Sequence, residues 1–337
     1  MATAARPPTQ RDVADRAEVS TATVSYVLTG RDRPVKEETV RRVLDAARQL
    51  GYQRNHSARS LRRQRTELVC VVYRPPGNPW VELLTEQLHA SAVRRGYGVI
   101  GLPIAPDDRA DTALRVLREH YVDGAILTPG YCISATEVRR LARGGLGLVV
   151  FDDRIAPQRF DAVRLQQALA CQDVVRHLVT SGRRRIAYIA HEDELRGSGP
   201  AVVYRAYQQA LVDLGLPWDE SLVIAGADSR AEAYTGATRL LESVDPPDAI
   251  FSGSDRGAID AIWAARDLGW SVPGDVSIAG AGNIPEGEVV RPALTTAGFP
   301  GTDFSSVVER LWARIEDPTH RGTELDQPWE LIVRTST

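Results

Sequence analysis

The sequence predicts a small all-α helix-turn-helix head followed by a larger α/β body. Three observations carry that reading. The first fifty residues hold apolar side chains at helical spacing with no strand-like run. From Glu67 onward, short apolar runs alternate with amphipathic stretches. Charge divides at the same place: residues 1–65 carry 13 arginines and Lys36 against 7 acids, whereas the other 27 arginines face 37 acids within a net charge of −3. A basic head on an acidic body suits a head that meets a polyanion.

The first helix is expected to open at Thr9, whose hydroxyl can cap the first amides while Asp12 returns the bond. Val13, Ala14 and Ala17 then form an apolar face. Glu18 and Val19 make a short turn, and Ser20 can cap a second helix, Thr21–Leu28, buried through Val24, Val27 and Leu28. After Thr29 and Gly30 a loop leads to a third helix from about Glu37 to Leu50, with Val40, Val43, Leu44 and Ala47 expected inward and Gly51 as its stop. The outward residues of the second helix are Thr21, Ala22, Thr23, Ser25 and Tyr26. They are small or hydrogen-bonding and include no acid, so the helix can enter a major groove. A bundle with no partner would explain the apolar positions but not that face.

Beyond Gly51-Tyr52, the stretch Asn55–Arg63 is too short and polar for a core helix, and alone it would be unstable in water. Here the residues carry a resemblance. Thr9-x-x-Asp12-Val13-Ala14, Val19-Ser20-x-x-Thr23-Val24-Ser25-x-Val27-Leu28, and Leu50-Gly51-Tyr52 through Asn55-x-x-Ala58-Arg59-Ser60-Leu61-Arg62 resemble the lactose-repressor (LacI) family. The resemblance implies a DNA-binding regulator. Thr21, Ala22 and Tyr26 would read bases, Thr23 and Ser25 would lie nearer the phosphates, and Thr9 would also belong to the DNA-binding set. Leu61, with Ala58 beside it and Asn55 ahead, would be the apolar wedge that kinks a minor-groove step. Five positions depart from the family pattern: Gln10 for an aliphatic residue, Glu18 for glycine, Tyr26 for a frequent arginine, Lys36 for a capping serine and Arg54 for proline. They bear on which operator is read.

The body's apolar runs are Leu68–Val72, Val99–Leu102, Gly124–Leu127, Leu146–Phe151, Ile186–Ile189, Leu222–Ala225, Ala249–Phe251 and Val276–Ala279. Helical patterns lie between them, as at Val81–Arg95, Ala168–Thr180, Val202–Leu214, Arg230–Glu242 and Ala258–Leu268. This alternation predicts two doubly wound parallel-sheet lobes. The family resemblance makes them lobes of periplasmic-binding-protein type, with the chain crossing near Ala156–Ala162 and Leu294–Pro300. It also sets the expected division: residues 1–54 for the DNA-binding head, 55–65 for a hinge helix and linker, and 66–337 for effector binding and dimerisation.

In such sheets ligands meet the loops after the carboxyl ends of strands. Those loops hold Asn78 and Trp80, Tyr131, Asp152-Asp153-Arg154, His191-Glu192-Asp193, Ser254-Asp255 and Gly282-Asn283. The candidate effector residues are Asn78, Trp80, Tyr131, Asp255 and Asn283, of which Asn78, Trp80 and Asp255 match family pocket positions. Other positions depart. Gln166-Gln167 replace a usual Asp-Asn, Val203 replaces an arginine ahead of Ala206-Tyr207, Ser254-Asp255 replace Asn-Asp, and Ala281-Gly282-Asn283 replace Phe-Asp-Asp. A hydroxyl-rich sugar left without carboxylates and an arginine has unpaired polar groups. The expected effector is therefore not an ordinary free sugar; the alternative is control through a protein partner without a small effector.

Enzyme readings fare poorly. With Lys36 the single lysine, P-loop and Schiff-base chemistry are excluded. Gly280-Ala281-Gly282 follows a strand, but Pro285 stands where a dinucleotide fingerprint needs glycine, and no helix pattern opens there. No Gly-x-Ser-x-Gly elbow is present. The six histidines show no metal-ligand spacing. Asp152-Asp153 and Glu192-Asp193-Glu194 read as solvated turns. No cofactor is expected. Cys70, Cys132 and Cys171 lie far apart, as suits a reducing compartment. The N-terminus lacks an apolar leader core, so the expected location is the cytoplasm, without membrane contact. The expected partners are double-stranded operator DNA, a small effector and a second copy of the chain. Little sequence follows Glu330–Val333 to build a heptad tail, so a homodimer is expected over a tetramer.

Overall fold

The computed structural model describes residues 8–29, 35–52, 65–75, 79–104, 110–130, 133–197 and 201–337. The chain divides into two compact units, Met1–Arg65 and Thr66–Thr337.

In the first unit, helix α1 spans Gln10–Ala17, α2 Thr21–Thr29 and α3 Glu37–Gln49. Local sequence starts α1 and α2. The Thr9 hydroxyl accepts from the Asp12 amide at 3.4 Å, and the Asp12 carboxylate accepts from the Thr9 amide at 2.6 Å. Ser20 Oγ accepts from the Thr23 amide at 3.1 Å. Lys36 stands at the head of α3 with no side-chain cap. The unit's core joins Val13, Ala14, Ala17, Val24, Val43, Ala46 and Ala47. Leu44, expected inside, is exposed, and Ala46 takes the inward place. The reason is angular: Val43, Ala46, Ala47 and Leu50 form one i, i+3, i+4, i+7 stripe, and Leu44 lies about 100° round from Val43. Glu18 closes α1 in the left-handed region at φ 52°, which disfavours any residue with a Cβ.

The second unit contains two α/β lobes. Sheet A has the order β11-β5-β4-β3-β1-β2 and sheet B the order β12-β10-β9-β8-β6-β7. In chain order the strands are β1 Leu68–Tyr73, β2 Gly98–Pro103, β3 Gly124–Leu127, β4 Gly147–Phe151, β5 Asp161–Arg164, β6 Ile186–Ala190, β7 Val223–Ala225, β8 Ala249–Ser252, β9 Ser277–Gly282, β10 Thr295–Gly298, β11 Glu324–Asp326 and β12 Glu330–Ile332. Pairing is parallel throughout sheet A, and in sheet B only β12 runs antiparallel, to β10. Strands covered on both faces read as unbroken apolar runs, as Val69–Val72 do, all fully buried.

The crossings differ from the expected places. β5 belongs to sheet A and the Gln167–Thr180 helix packs on β10 and β12, so the first passage lies at 165–166. β10 belongs to sheet B while the Ser305–Glu316 helix packs on β3, β4 and β5, which places the second at 299–304. A third, not foreseen, joins β11 to β12 at 327–329. The third is laced to the second through Gln327 Nε2, which donates to Asp303 O at 3.1 Å, and to the first. Trp329 N donates to Leu165 O at 2.7 Å, Gln327 N to Arg164 O at 2.9 Å, and Leu165 N to Asp153 Oδ1 at 2.6 Å. β5 escaped the apolar reading because it opens on Asp161, whose buried carboxylate meets Arg314 Nε at 3.3 Å and accepts from Thr323 N at 2.7 Å. One apolar cluster runs through both lobes, with Phe299 and Trp329 of the crossings inside it.

Replacing Glu18 by glycine removes the left-handed penalty. We expect the first unit to gain about 1 kcal/mol, read as slower hydrogen exchange of the α1 amides; exchange rates equal to those of the wild type would contradict it.

Candidate functional site

Two sites follow from the sequence, one on each unit. On the first, α2 exposes Thr21 and Ala22 and leaves Thr23, Ser25 and Tyr26 half-buried, while Val24 points into the core. The Thr23 hydroxyl shares a hydrogen bond with Ser20 Oγ at 2.9 Å. No acidic residue lies in the first turn, so the positive end of the helix dipole is not offset and suits phosphate oxygens. Thr9 serves as the cap of α1. Asn55, Ala58 and Leu61 lie outside the described residues.

In the second unit, the network at the carboxyl ends of the sheet B strands centres on Asp255. Ser254 caps the Asp255–Asp267 helix, accepting from Gly257 N at 3.1 Å and donating to Ala227 O at 2.8 Å. The Asp255 carboxylate is 1% exposed. It accepts from Thr296 Oγ1 at 2.5 Å and from the Ile284 amide at 2.8 Å. Gly280 makes this approach possible, since a Cβ there would stand 2.3 Å from Asp255 Oδ1. Burial pushes the carboxyl up from its ordinary 3.8 to about 6, against the bonds from Thr296 and Ile284 and the charge of Arg334.

Asn283 belongs to the same network. Its amide donates to Thr296 Oγ1 at 3.3 Å, its Nδ2 donates to Phe299 O at 2.5 Å, and its Oδ1 accepts from Arg334 at 2.7 Å. The Phe299 ring lies 5.2 Å from Trp80, which also packs on Phe151 at 5.2 Å and Phe304 at 5.8 Å. The structure thus links Trp80, Asn283 and Asp255 through Phe299 and Thr296; Asn78 and Tyr131 lie outside the described residues. Thr296, Phe299 and Arg334 were not foreseen, and their partners are too distant in sequence to signal them.

Two sequence readings need correction. Glu192-Asp193-Glu194 is not a solvated turn, because Glu194 is buried, accepting from Tyr188 Oη and His191 N, both at 3.0 Å. Burial raises its carboxyl above the usual range. Gly280 and Gly282 lie inside β9 rather than after it, and a one-turn helix, Glu286–Val289, opens after Pro285. Four residues give that helix no anion-cradling N-terminus. Asp152 does hold a turn, accepting from the Arg154 and Ile155 amides. Among the described residues no group of His, Cys, Asp and Glu could hold a metal, and no helix is long and apolar enough to cross a membrane.

Comparison with known proteins supplies the decisive observation. Catabolite control protein A of Priestia megaterium is 31% identical over 330 residues, 97% of this chain and 98% of that protein. The chain belongs to the LacI family of bacterial regulatory proteins. The family's DNA-binding model matches residues 9–55, and a periplasmic binding protein-like domain model matches 175–337. The ribose operon repressor of Halalkalibacterium halodurans is 30% identical, covering 98% of this chain and 97% of that one. A lac repressor dimer bound to operator and an anti-inducer shares the fold at a TM-score of 0.75 and 21% identity, covering 98% and 99% of the two chains. LacI-family proteins are DNA-binding transcription regulators, typically repressors, and not enzymes. The helical head and the two parallel-sheet lobes are those of that fold.

Asp255 favours its proton in the folded state, so its contribution to stability is full below pH 4 and is lost as pH rises through 6. The difference is about 3 kcal/mol. Denaturant titrations of Asp255→Asn between pH 4 and 8 should show that slope missing; a slope equal to that of the wild type would place the proton elsewhere.

Proposed function

We propose that the chain is a repressor that binds a pseudo-palindromic operator as a homodimer, under the control of a ligand between its two lobes. The observation that carries this is the acid-free outer face of α2, exposed at Thr21 and Ala22 and half-buried at Thr23, Ser25 and Tyr26, on a three-helix unit in a head of net charge +7 counted from the sequence. Thr21, Ala22 and Tyr26 read base edges; Thr23, Ser25 and the arginines of residues 1–65 meet phosphates. Asn55, Ala58 and Leu61 form the hinge, with Leu61 as the wedge. In this reading residues 1–54 are the reading head, 55–65 the hinge and linker, and 66–337 the sensing and dimerising body. The protein works in the cytoplasm, where its DNA lies.

Dimerisation is supported by a face of sheet B's lobe with a cavity of about 410 Å³, lined by Arg230, Arg256, Trp263, Arg266, Glu286 and Val289 among others. Trp263 and Val289 are exposed apolar residues there. Guanidinium groups beside Glu286 and Asp267 let such a patch pair with its own copy across a two-fold axis.

The effector is a small molecule other than an ordinary free sugar. Val203 is buried and apolar where the family carries an arginine, and Asp255 and Asn283 already hold partners inside the protein. A sugar would have to displace those bonds.

Selection of genomic fragments on the full-length chain, followed by sequencing, should return one palindromic motif. Binding without sequence preference would overturn the reading. On that operator Leu61→Ala should cost about 2–3 kcal/mol of specific affinity, and affinity should fall steeply with salt. Calorimetry with common mono- and disaccharides should give no binding heat; tight binding of one would refute the effector reading, and no response to any metabolite would favour control through a protein partner.

A further inference from the structure

Charged groups of the two lobes also meet away from Asp255, at the carboxyl ends of β1 and β6. Arg74 is the first residue after β1 in sheet A. Asp193 is the second residue of the short Glu192–Arg196 helix after β6 in sheet B. Their side chains form an ion pair across 119 residues of sequence, with 19% and 13% of their surfaces exposed.

The sheet B half is held before the pair meets. On the Asp193 side, the His191 ring spans two strand ends, with Nδ1 2.7 Å from Asp228 Oδ1 and Nε2 3.2 Å from Gly253 O. The second Asp228 oxygen accepts from Glu192 N at 2.9 Å. Glu194 ties the same turn to Tyr188 and accepts from Tyr204 N at 3.3 Å. On the other side, Arg74 runs over Gly130, where a Cβ would stand 3.4 Å from its Cδ. An ion pair between positioned, shielded side chains loses little conformational freedom on forming, and removing either partner strands the other away from full hydration. Arg196 pairs with Glu192 and His191 with Asp228, which leaves Asp193 beside the buried Glu194 at the sheet B edge, and Arg74 answers Asp193 from sheet A.

We propose that Arg74 and Asp193 form a clasp that closes the cleft between the lobes without a ligand. The inference rests on the reading of that cleft as the regulatory site and deepens it: the closed arrangement is written into the chain, and a ligand acts on a cleft already held shut.

The test uses the full-length chain with spin labels at Val93→Cys and Val244→Cys, exposed positions on the two lobes, in a Cys132→Ser background. Dilution into unlabelled protein leaves only distances within one chain. Arg74→Ala and Asp193→Asn should each lengthen and broaden the interlobe distance, lowering the closed population on the order of tenfold. The exchanged pair Arg74→Asp with Asp193→Arg should restore it. Unchanged distances in both single variants, or an exchanged pair as open as either single, would overturn the clasp. Asp193→Asn keeps the shape of the turn and guards against simple unfolding, checked by a cooperative melt. Operator binding of the same proteins is read separately by fluorescence anisotropy. Loss of the clasp with intact operator binding, or the reverse, tells its failure from failure of the regulator reading.

Discussion

The lobe built on sheet B depends on one buried carboxylate. Asp255 opens its helix and draws together three elements at once: its own helix N-terminus, the turn after β9 through Ile284, and β10 through Thr296. A carboxylate so enclosed is costly unless donors surround it, and here two hydrogen bonds and the positive end of the helix dipole offset that cost only in part, so burial still pushes the carboxyl up. The remaining local choices follow from it. Gly280 must lack a Cβ, Ser254 must cap, and Thr296 must present a hydroxyl rather than the methyl of valine. Through Thr296 the same bonds reach Asn283, then Phe299 and Trp80, so the polar lock of one lobe continues into the aromatic packing of the other.

What could be read from sequence was what local chemistry decides. The caps of α1 and α2 and the apolar runs of β1, β3, β4, β6, β8 and β9 depend on residues near one another, and those elements stand within a few residues of their expected places. β5, β10, β11 and β12 were hidden because Asp161, Arg164, Thr295, Thr296, Glu324 and Glu330 do not read as strand interior. Their polar groups are satisfied by partners far along the chain, such as Arg314 for Asp161 and Arg164 for Glu324. The acidic run at 192–194 misled because burial encloses Glu194, which its polar sequence does not display. Tyr188, Tyr204 and Arg74 reach it through the fold. In the head, Leu44 shows that helical spacing gives the stripe only to within one residue.

The preponderance of arginine also acquires a structural use. Arg183 donates to Ser277 Oγ at 3.0 Å and to the carbonyls of Pro273, Gly274 and Asp275. Arg334 serves Leu294 O, Asn283 Oδ1 and Glu288. Arg164 bridges Asp152 O, Ile155 O and Glu324. A planar fork with five donors can satisfy several carbonyls from fixed directions, where an ammonium acts as a point charge. In these places the guanidinium fastens loop backbone to sheet, whatever drove the overall ratio of arginine to lysine.

The same fastening bears on what a cleft ligand would meet. At the sheet B edge, Asp255, Asn283, His191 and Glu194 have their bonds filled from within the chain, and Arg74 reaches across to Asp193. A ligand that took one of these groups would exchange one hydrogen bond for another, with little net gain. Selectivity would then come from shape and from charge able to replace a whole ion pair, since a neutral group that parted Arg74 from Asp193 would leave both short of hydration. A cleft held by its own polar contacts therefore weighs against a neutral, hydroxyl-rich ligand on energetic grounds that hold apart from the substitutions at 166, 167 and 203.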